Sequence, residues 1–279
     1  TLAVTSTGST TDAGDLGEEF GFGSAVGSNV SNGNRIVIGG GQNGNAANMM
    51  HYITPASYSG GSTDYADLNE NKVYTGSASN GTIGMIGLGY KTGFRSQVDY
   101  FTISATSDAA DFGDAAQYGT GPSGSESLAK AFFSGAYGGS YFDHISTFTF
   151  ASAGDATDSG NLTEARQNGS STSGSTEARV IVSVGGRVSG GGFSTEINYM
   201  NPASPGDATD FGDSAACSVS GGPGNGTRMV WGGGADGEGS GSSTYWQDIH
   251  YIDIASLGNA TESSGTLTHR KYHGCGWTA

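Results

Sequence analysis

The sequence predicts an all-β fold, a β-propeller ring of four-stranded antiparallel blades, and three observations predict it. One acidic phrase recurs six times along the chain. A short apolar run ending in glycines recurs ahead of a fixed register mark. Asn-Gly pairs stand just before those runs, where hairpins would turn.

The phrase reads GDATDFGD at 206–213, GDATDSGN at 154–161 and DAADFGD at 108–114. Looser copies are GSTTDAGDL at 8–16, GSTDYADL at 61–68 and GNATESSG at 258–265. A metal or catalytic site is ordinarily built once, so a phrase repeated at near-constant spacing belongs to a scaffold. Taking Tyr251 as the register mark, its equivalents are Thr1, Tyr52, Tyr100, Thr147 and Tyr199, spaced by 51, 48, 47, 52 and 52 residues. Periods of about 50 residues are those of propellers and arrays.

Each repeat divides into four strands. The first is small and rich in Gly and Ser, as in GFGSAVGSNV at 21–30. The second is the apolar run: NRIVIGGG at 34–41, GTIGMIGLG at 81–89, KAFFSGAYGG at 130–139, ARVIVSVGG at 178–186 and TRMVWGGG at 227–234. Asn32-Gly33, Asn80-Gly81 and Asn225-Gly226 precede three of these runs. Both residues of such a turn need positive φ, which Asn and Gly tolerate. The third strand carries the register mark, as in VDYFTIS at 98–104, and the fourth is the acidic phrase. The repeat units fall at about 1–20, 21–69, 70–116, 117–165, 166–213 and 214–267, in a single domain over 1–279. Residues 268–279 supply one more first strand and 1–16 a third and fourth, so the two chain ends are expected to close a sixth blade that has no second strand.

Within the acidic phrase, Asp207 reads as a turn residue, because Asp side chains bond nearby backbone N–H groups. Strand alternation then puts Asp210 and Gly212 on one side, and Phe211 and Asp213 on the other. Three aspartates so placed do not converge on one ion. An EF-hand loop would need ligands at positions 1, 3 and 5, glycine at 6 and glutamate at 12, a pattern this phrase lacks.

Composition narrows the function classes. Eleven Lys and Arg stand against 26 Asp and Glu, a net charge of −15 that repels phosphate backbones and anionic lipid. No apolar run approaches the ~20 residues of a membrane-spanning helix. Leu, Ile, Val and Phe total only 44 of 279 residues, a level common in disordered chains. Here they stand in short, regularly spaced clusters, which disordered chains lack. Two cysteines, Cys217 and Cys275, are too few for a disulfide framework.

An apolar strand, a Gly-Gly pair, a variable loop and an aromatic-bearing strand make a repeat that resembles kelch repeats. Thr-Asp-Phe stands roughly where kelch repeats carry a late tryptophan. The fuller phrase, over residues 249–261, 197–213 and 225–234, is similar to the kelch-like arrays of virion structural and tail-fibre proteins of bacteriophages. That resemblance implies a virion or extracellular location and a non-enzymatic structural or adhesive role without a cofactor. It also implies other virion proteins, further copies of the chain or a host cell-surface glycan as partners. A secreted or surface-attached microbial lectin or adhesin fits the same features.

Loops between second and third strands share a face with the blade-to-blade connections, and they vary most between repeats. They hold much of the scarce positive charge and several aromatics: Tyr90, Phe94, Arg95, Tyr141, Phe142, Arg187, Phe193, Tyr245 and Trp246. Variable loops on a rigid scaffold are where recognition sits, and aromatic faces suit sugars or a protein partner. The same rings could instead pack on neighbouring loops.

Catalytic readings are weaker. HRKYHGCGW at 269–277 brings His269, Lys271, His273 and Cys275 to one strand face, while Tyr272 and Trp277 do not both fit a ligand set with them. His51, His144 and His250 lie on third strands, away from the axis. Arg35, Arg179 and Arg228 recur at equivalent positions and point apart, so they do not form a carboxylate-binding cluster. Their recurrence predicts a repeated ion pair, with the acidic phrase as its partner.

Overall fold

A computed structural model describes residues 28–31, 35–43, 45–54, 61–167, 175–176, 178–214, 222, 224, 226–233 and 247–267. These form an all-β propeller whose blades are antiparallel meanders. The first blade runs Ser28–Ser31, Ile36–Gly39, Met49–Ile53, Thr63–Asp67. The second runs Gly76–Ser79, Ile83–Tyr90, Phe94–Thr102, Ala110–Asp114. The third runs Ser123–Glu126, Lys130–Tyr137, Tyr141–Thr149, Thr157–Asn161. In the fourth, Arg166–Gln167 and Ser175–Thr176 both pair with Arg179–Val188, followed by Phe193–Met200 and Thr209–Asp213. The fifth holds Arg228–Gly232, Asp248–Asp253 and Thr261–Thr266, with Gly224 bridged to Met229 on its inner side.

Among the described residues the blades number five, where the repeats predict six. Only five repeats contain a complete second strand, the element around which each sheet is ordered. Residues 1–16 and 268–279, assigned to the sixth blade, lie outside the described residues.

The apolar core is divided among the seams. Val37, Met50 and Tyr65 of the first blade meet Ile86, Phe101 and Ile103 of the second. Met85, Val98 and Phe112 meet Ala131, Phe133 and Phe148 of the third. Phe132, Ile145 and Leu162 meet Val180, Val182 and Met200, and Ile181, Ile197 and Phe211 meet Met229, Trp231 and Ile252. The second, third and fourth sheets therefore bury both faces against their neighbours. This is how a chain poor in large apolar residues still builds a core, since many small side chains close the gaps between strands. At Gly124 a Cβ would overlap the backbone of Ser77, so the inner strands of the second and third blades approach as only glycine permits.

Near its end the second strand passes through one left-handed residue, which is a bulge inside the strand in the second, third and fourth blades. It is Gly40 (φ 69°), Gly135 (φ 65°), Gly185 (φ 60°) and Gly233 (φ 79°), but in the second blade it is Leu88 (φ 56°). Left-handed backbone costs a non-glycine residue about 1–2 kcal/mol. Leu88 is fully buried among the side chains of the second seam, which offsets that cost.

Candidate functional site

The recurrent aspartates each have a separate structural task. The first of each triplet crosses a seam. Asp108 accepts the backbone N–H of Asp67 at 3.2 Å, Asp155 that of Asp114 at 3.0 Å and Asp207 that of Asn161 at 2.9 Å. Asn259 takes the same position and accepts from Asp213 at 3.0 Å. The next residue returns a backbone bond: Ala109, Ala156, Ala208 and Ala260 donate to the carbonyls of Asp67, Asp114, Asn161 and Asp213. The second aspartate, as Asp111 or Asp210, caps the N–H of a glycine two residues on. The third accepts a hydroxyl from the third strand, Ser96 to Asp114 at 2.8 Å and Thr195 to Asp213 at 2.9 Å.

The face assignment made from strand alternation needs correction. Asp210 and Asp213 are both exposed and Phe211 is buried. A bulge at Phe211, beside Gly212 with φ of 145°, breaks the two-residue period. Among the described residues no group of three or more His, Cys, Asp or Glu is placed to hold a metal ion.

The repeated cations also differ from expectation. Arg35 lies over the Tyr52 ring at 4.4 Å and donates to the Ile103 carbonyl of the next blade at 3.1 Å. Arg179 lies over Tyr199 at 4.7 Å and donates to the Ile254 carbonyl at 2.6 Å. Lys130, whose register mark is Thr147, makes carbonyl contacts through its amine, to Pro202 at 3.1 Å and Ala203 at 3.4 Å. Arg228 lies over Tyr251 at 4.3 Å and pairs with Asp253 at 3.0 Å, a third-strand residue outside the acidic phrase.

A second repeated feature lies on the loop side of the seams. The residue before the register mark is buried and polar in every blade: His51, Asp99, Ser146, Asn198 and His250. In three blades it takes a backbone N–H from the incoming connection: Asn69 to Asp99 at 3.2 Å, Ala116 to Ser146 at 3.0 Å and Thr163 to Asn198 at 3.0 Å. The same connections bury Lys72, Gln117 and Arg166. Gln117 takes the Ser146 hydroxyl at 2.7 Å. Arg166 reaches Glu196 at 2.8 Å and the carbonyls of Gly185 and Glu196. Burial pushes the Arg166 guanidinium below its ordinary range. At Glu196 burial acts upward, but bonds from Thr163 and Arg166 outweigh it and hold the carboxyl below its usual range. Lys72 Nζ lies 3.1 Å from Asp99 Oδ2, with both side chains fully buried. Burial pushes the Asp99 carboxyl up, against the opposing pull of Lys72. Sequence reading missed this set, although a polar residue at one fixed place in five apolar strands is its visible trace.

On the same face, the loops of the second and third blades assemble a row of rings. The hairpin at Tyr90–Phe94 and that at Tyr137–Tyr141 each close with strand pairing across the turn. The connection between these blades runs between them, with Gly119 donating to Arg95 and Thr120 pairing with Tyr137. That places Tyr118 against both hairpins. Phe94 lies 5.6 Å from Tyr90, 6.2 Å from Tyr118 and 6.0 Å from Tyr137. Tyr118 lies edge-on to Phe142 at 5.6 Å, and Tyr137 lies 5.2 Å from Tyr141. Gly138 makes room for the row, since a Cβ there would meet the Tyr118 ring at 2.6 Å. Tyr118 is 50% and Tyr90 39% exposed, and no other aromatic among the described residues is so open. The rim is polar, with exposed Lys91, the Arg95–Glu70 pair at 3.2 Å and the His144–Asp158 pair at 3.2 Å.

Of the loop residues singled out from sequence, Tyr90, Phe94, Arg95, Tyr141 and Phe142 are thus brought into one row or its rim. Arg187 and Phe193 are half-buried strand partners in the fourth blade, apart from it. Tyr245 and Trp246 lie outside the described residues, as do Cys217, Cys275 and the stretch 269–277. Tyr118 and Tyr137 were not anticipated, because Tyr118 belongs to a blade connection and Tyr137 to the end of a second strand. No protein-family model matches the chain, and no curated protein matches it.

Proposed function

We propose that the chain is a non-enzymatic display scaffold, a kelch-like propeller serving as a structural or adhesive component of a phage virion. In that reading it forms part of a tail fibre, appendage or capsid decoration. The observation that carries the binding part is the row Tyr90–Phe94–Tyr118–Phe142. Rings held by one another, with two tyrosines open to solvent and polar groups beside them, stack on the C–H face of a sugar or fill a gap in a protein partner at little entropic cost. The scaffold part is supported by the seam aspartates, which are engaged in backbone bonds. The viral part rests on the resemblance of the repeat phrase alone. A secreted or surface-attached lectin with the same row is the second reading.

Two measurements test this. Glycan-array binding by the wild-type chain, lost in Tyr118→Ala with the fold intact, supports recognition through the row. Recovery of the chain from purified virus particles at fixed stoichiometry supports the viral reading. Glycan binding without particle association favours the lectin. Unchanged binding in Tyr118→Ala removes the row from the account.

A further inference from the structure

We propose that Lys72 and Asp99 condense to an amide, an intramolecular isopeptide cross-link that welds the connection between the first two blades to the third strand of the second. Lys72 Nζ lies 3.1 Å from Asp99 Oδ2, and neither side chain is exposed. An amine held against a carboxyl with both side chains buried reacts as though at high effective concentration.

The surroundings supply what the reaction needs. Glu70 Oε1 lies 3.9 Å from Lys72 Nζ, while Arg95 holds the other Glu70 oxygen at 3.2 Å. Glu70 Oε1 and Asp99 Oδ1 are both buried without a hydrogen-bond partner. Two orphaned carboxylate oxygens around one ammonium are costly in a dry site, and moving a proton from nitrogen to carboxylate relieves the charge. Burial favours the neutral acid at Asp99, and a desolvated lysine freed of its proton is a nucleophile. The Gln97 carbonyl, 3.4 Å from Nζ, helps to hold the amine.

The chemistry balances without any co-reactant. Glu70 takes a proton from the ammonium, and the nitrogen lone pair attacks Asp99 Cγ. The Asn69 N–H, 3.2 Å from Oδ2, steadies the negative oxygen of the tetrahedral adduct. Oδ1 receives the two protons shed by nitrogen, one of them carried by Glu70, and leaves as water. A C–N bond replaces a C–O bond, and nothing is oxidised or reduced. Equivalent places elsewhere lack this chemistry. Gln117 faces Ser146, and Arg166 faces Thr163 and Glu196, so neither connection offers an amine to a carboxyl.

The test is the intact mass and tryptic map of the full chain, purified folded and denatured only for analysis. The expected mass is lower than the sequence mass by one water. Cleavage after Lys72 is lost, and a branched species joins residues 36–91 to residues 96–130. Lys72→Arg, which keeps the charge but not the nucleophile, and Glu70→Gln both restore the full mass. A wild-type chain that unfolds cooperatively yet has its full mass and is cut normally after Lys72 overturns the proposal. Water loss that persists in Lys72→Arg overturns it as well.

Discussion

Asp207, at the head of the fourth blade's outer strand, accepts the backbone N–H of Asn161, which ends the outer strand of the third blade, at 2.9 Å. The bond joins residues 46 positions apart, and Asn259 repeats it with Asp213 using an amide oxygen instead of a carboxylate. The position therefore requires an acceptor of that reach rather than a charge. Asp207→Asn is expected to leave stability almost unchanged. Asp207→Ala is expected to lose about 0.5–1.5 kcal/mol, the usual net worth of one such bond. Urea unfolding of the two variants checks this.

Gly154 and Gly160 separate two causes of glycine use. Their φ values are 152° and 150°, but a Cβ at Gly154 meets nothing within 4 Å, whereas one at Gly160 strikes the backbone of Gly206 and Asp207. Gly154→Ala should cost only backbone strain, roughly 1–3 kcal/mol. Gly160→Ala should cost clearly more, because the third seam must open to admit the methyl. Thermal melts of both variants give the comparison.

Glu126 lies buried on the inner strand of the third blade, and burial pushes its carboxyl well above the ordinary 4.5. The unfolded chain releases this proton near 4.5 while the folded chain keeps it. Stability should fall as pH rises above that point, by about 1.4 kcal/mol per pH unit until the folded group ionises. Glu126→Gln should match the wild type at pH 4 and exceed it at pH 7. Denaturation midpoints at the two pH values read the difference.

Arg179 combines a ring contact with Tyr199 and a bond to the Ile254 carbonyl, while Lys130 has only carbonyl contacts. Arg179→Met is expected to destabilise by roughly 1–2 kcal/mol, through loss of its ring contacts with Tyr199 and Phe211 and of a charged hydrogen bond partly exposed to water. Lys130→Met should cost less. Equilibrium unfolding of each single variant ranks the two.

Much of the architecture was legible because the repeats restate it. The apolar run of 178–186 and the register mark Tyr199 fall on paired strands. The acidic phrase was legible as scaffold from its recurrence, but its geometry was not. A single bulge at Phe211 moves side chains to faces that simple alternation does not give. The carbonyl that Arg179 reaches, 75 residues away, was not foreseen, because backbone acceptors leave no mark in sequence. The aromatic row was half legible. Rings in hairpin loops could be picked out, but Tyr118 joins them only through the path of a blade connection. Lys72 and Asp99, 27 positions apart, meet for the same reason.

The side-chain seam bonds of the acidic phrase all run in one sense, with the acceptor on the later blade and the N–H on the earlier one, and a backbone bond beside each runs back. The second, third and fourth blades thus each carry a plug at the start of the outer strand and a socket at its end. Duplicating one whole repeat copies both halves together, so an inserted blade would fit its neighbours on both sides without inventing a contact. Blade number is then governed by the rotation between successive blades, not by recognition between particular pairs, and lineages of such arrays are free to grow or shrink by single units.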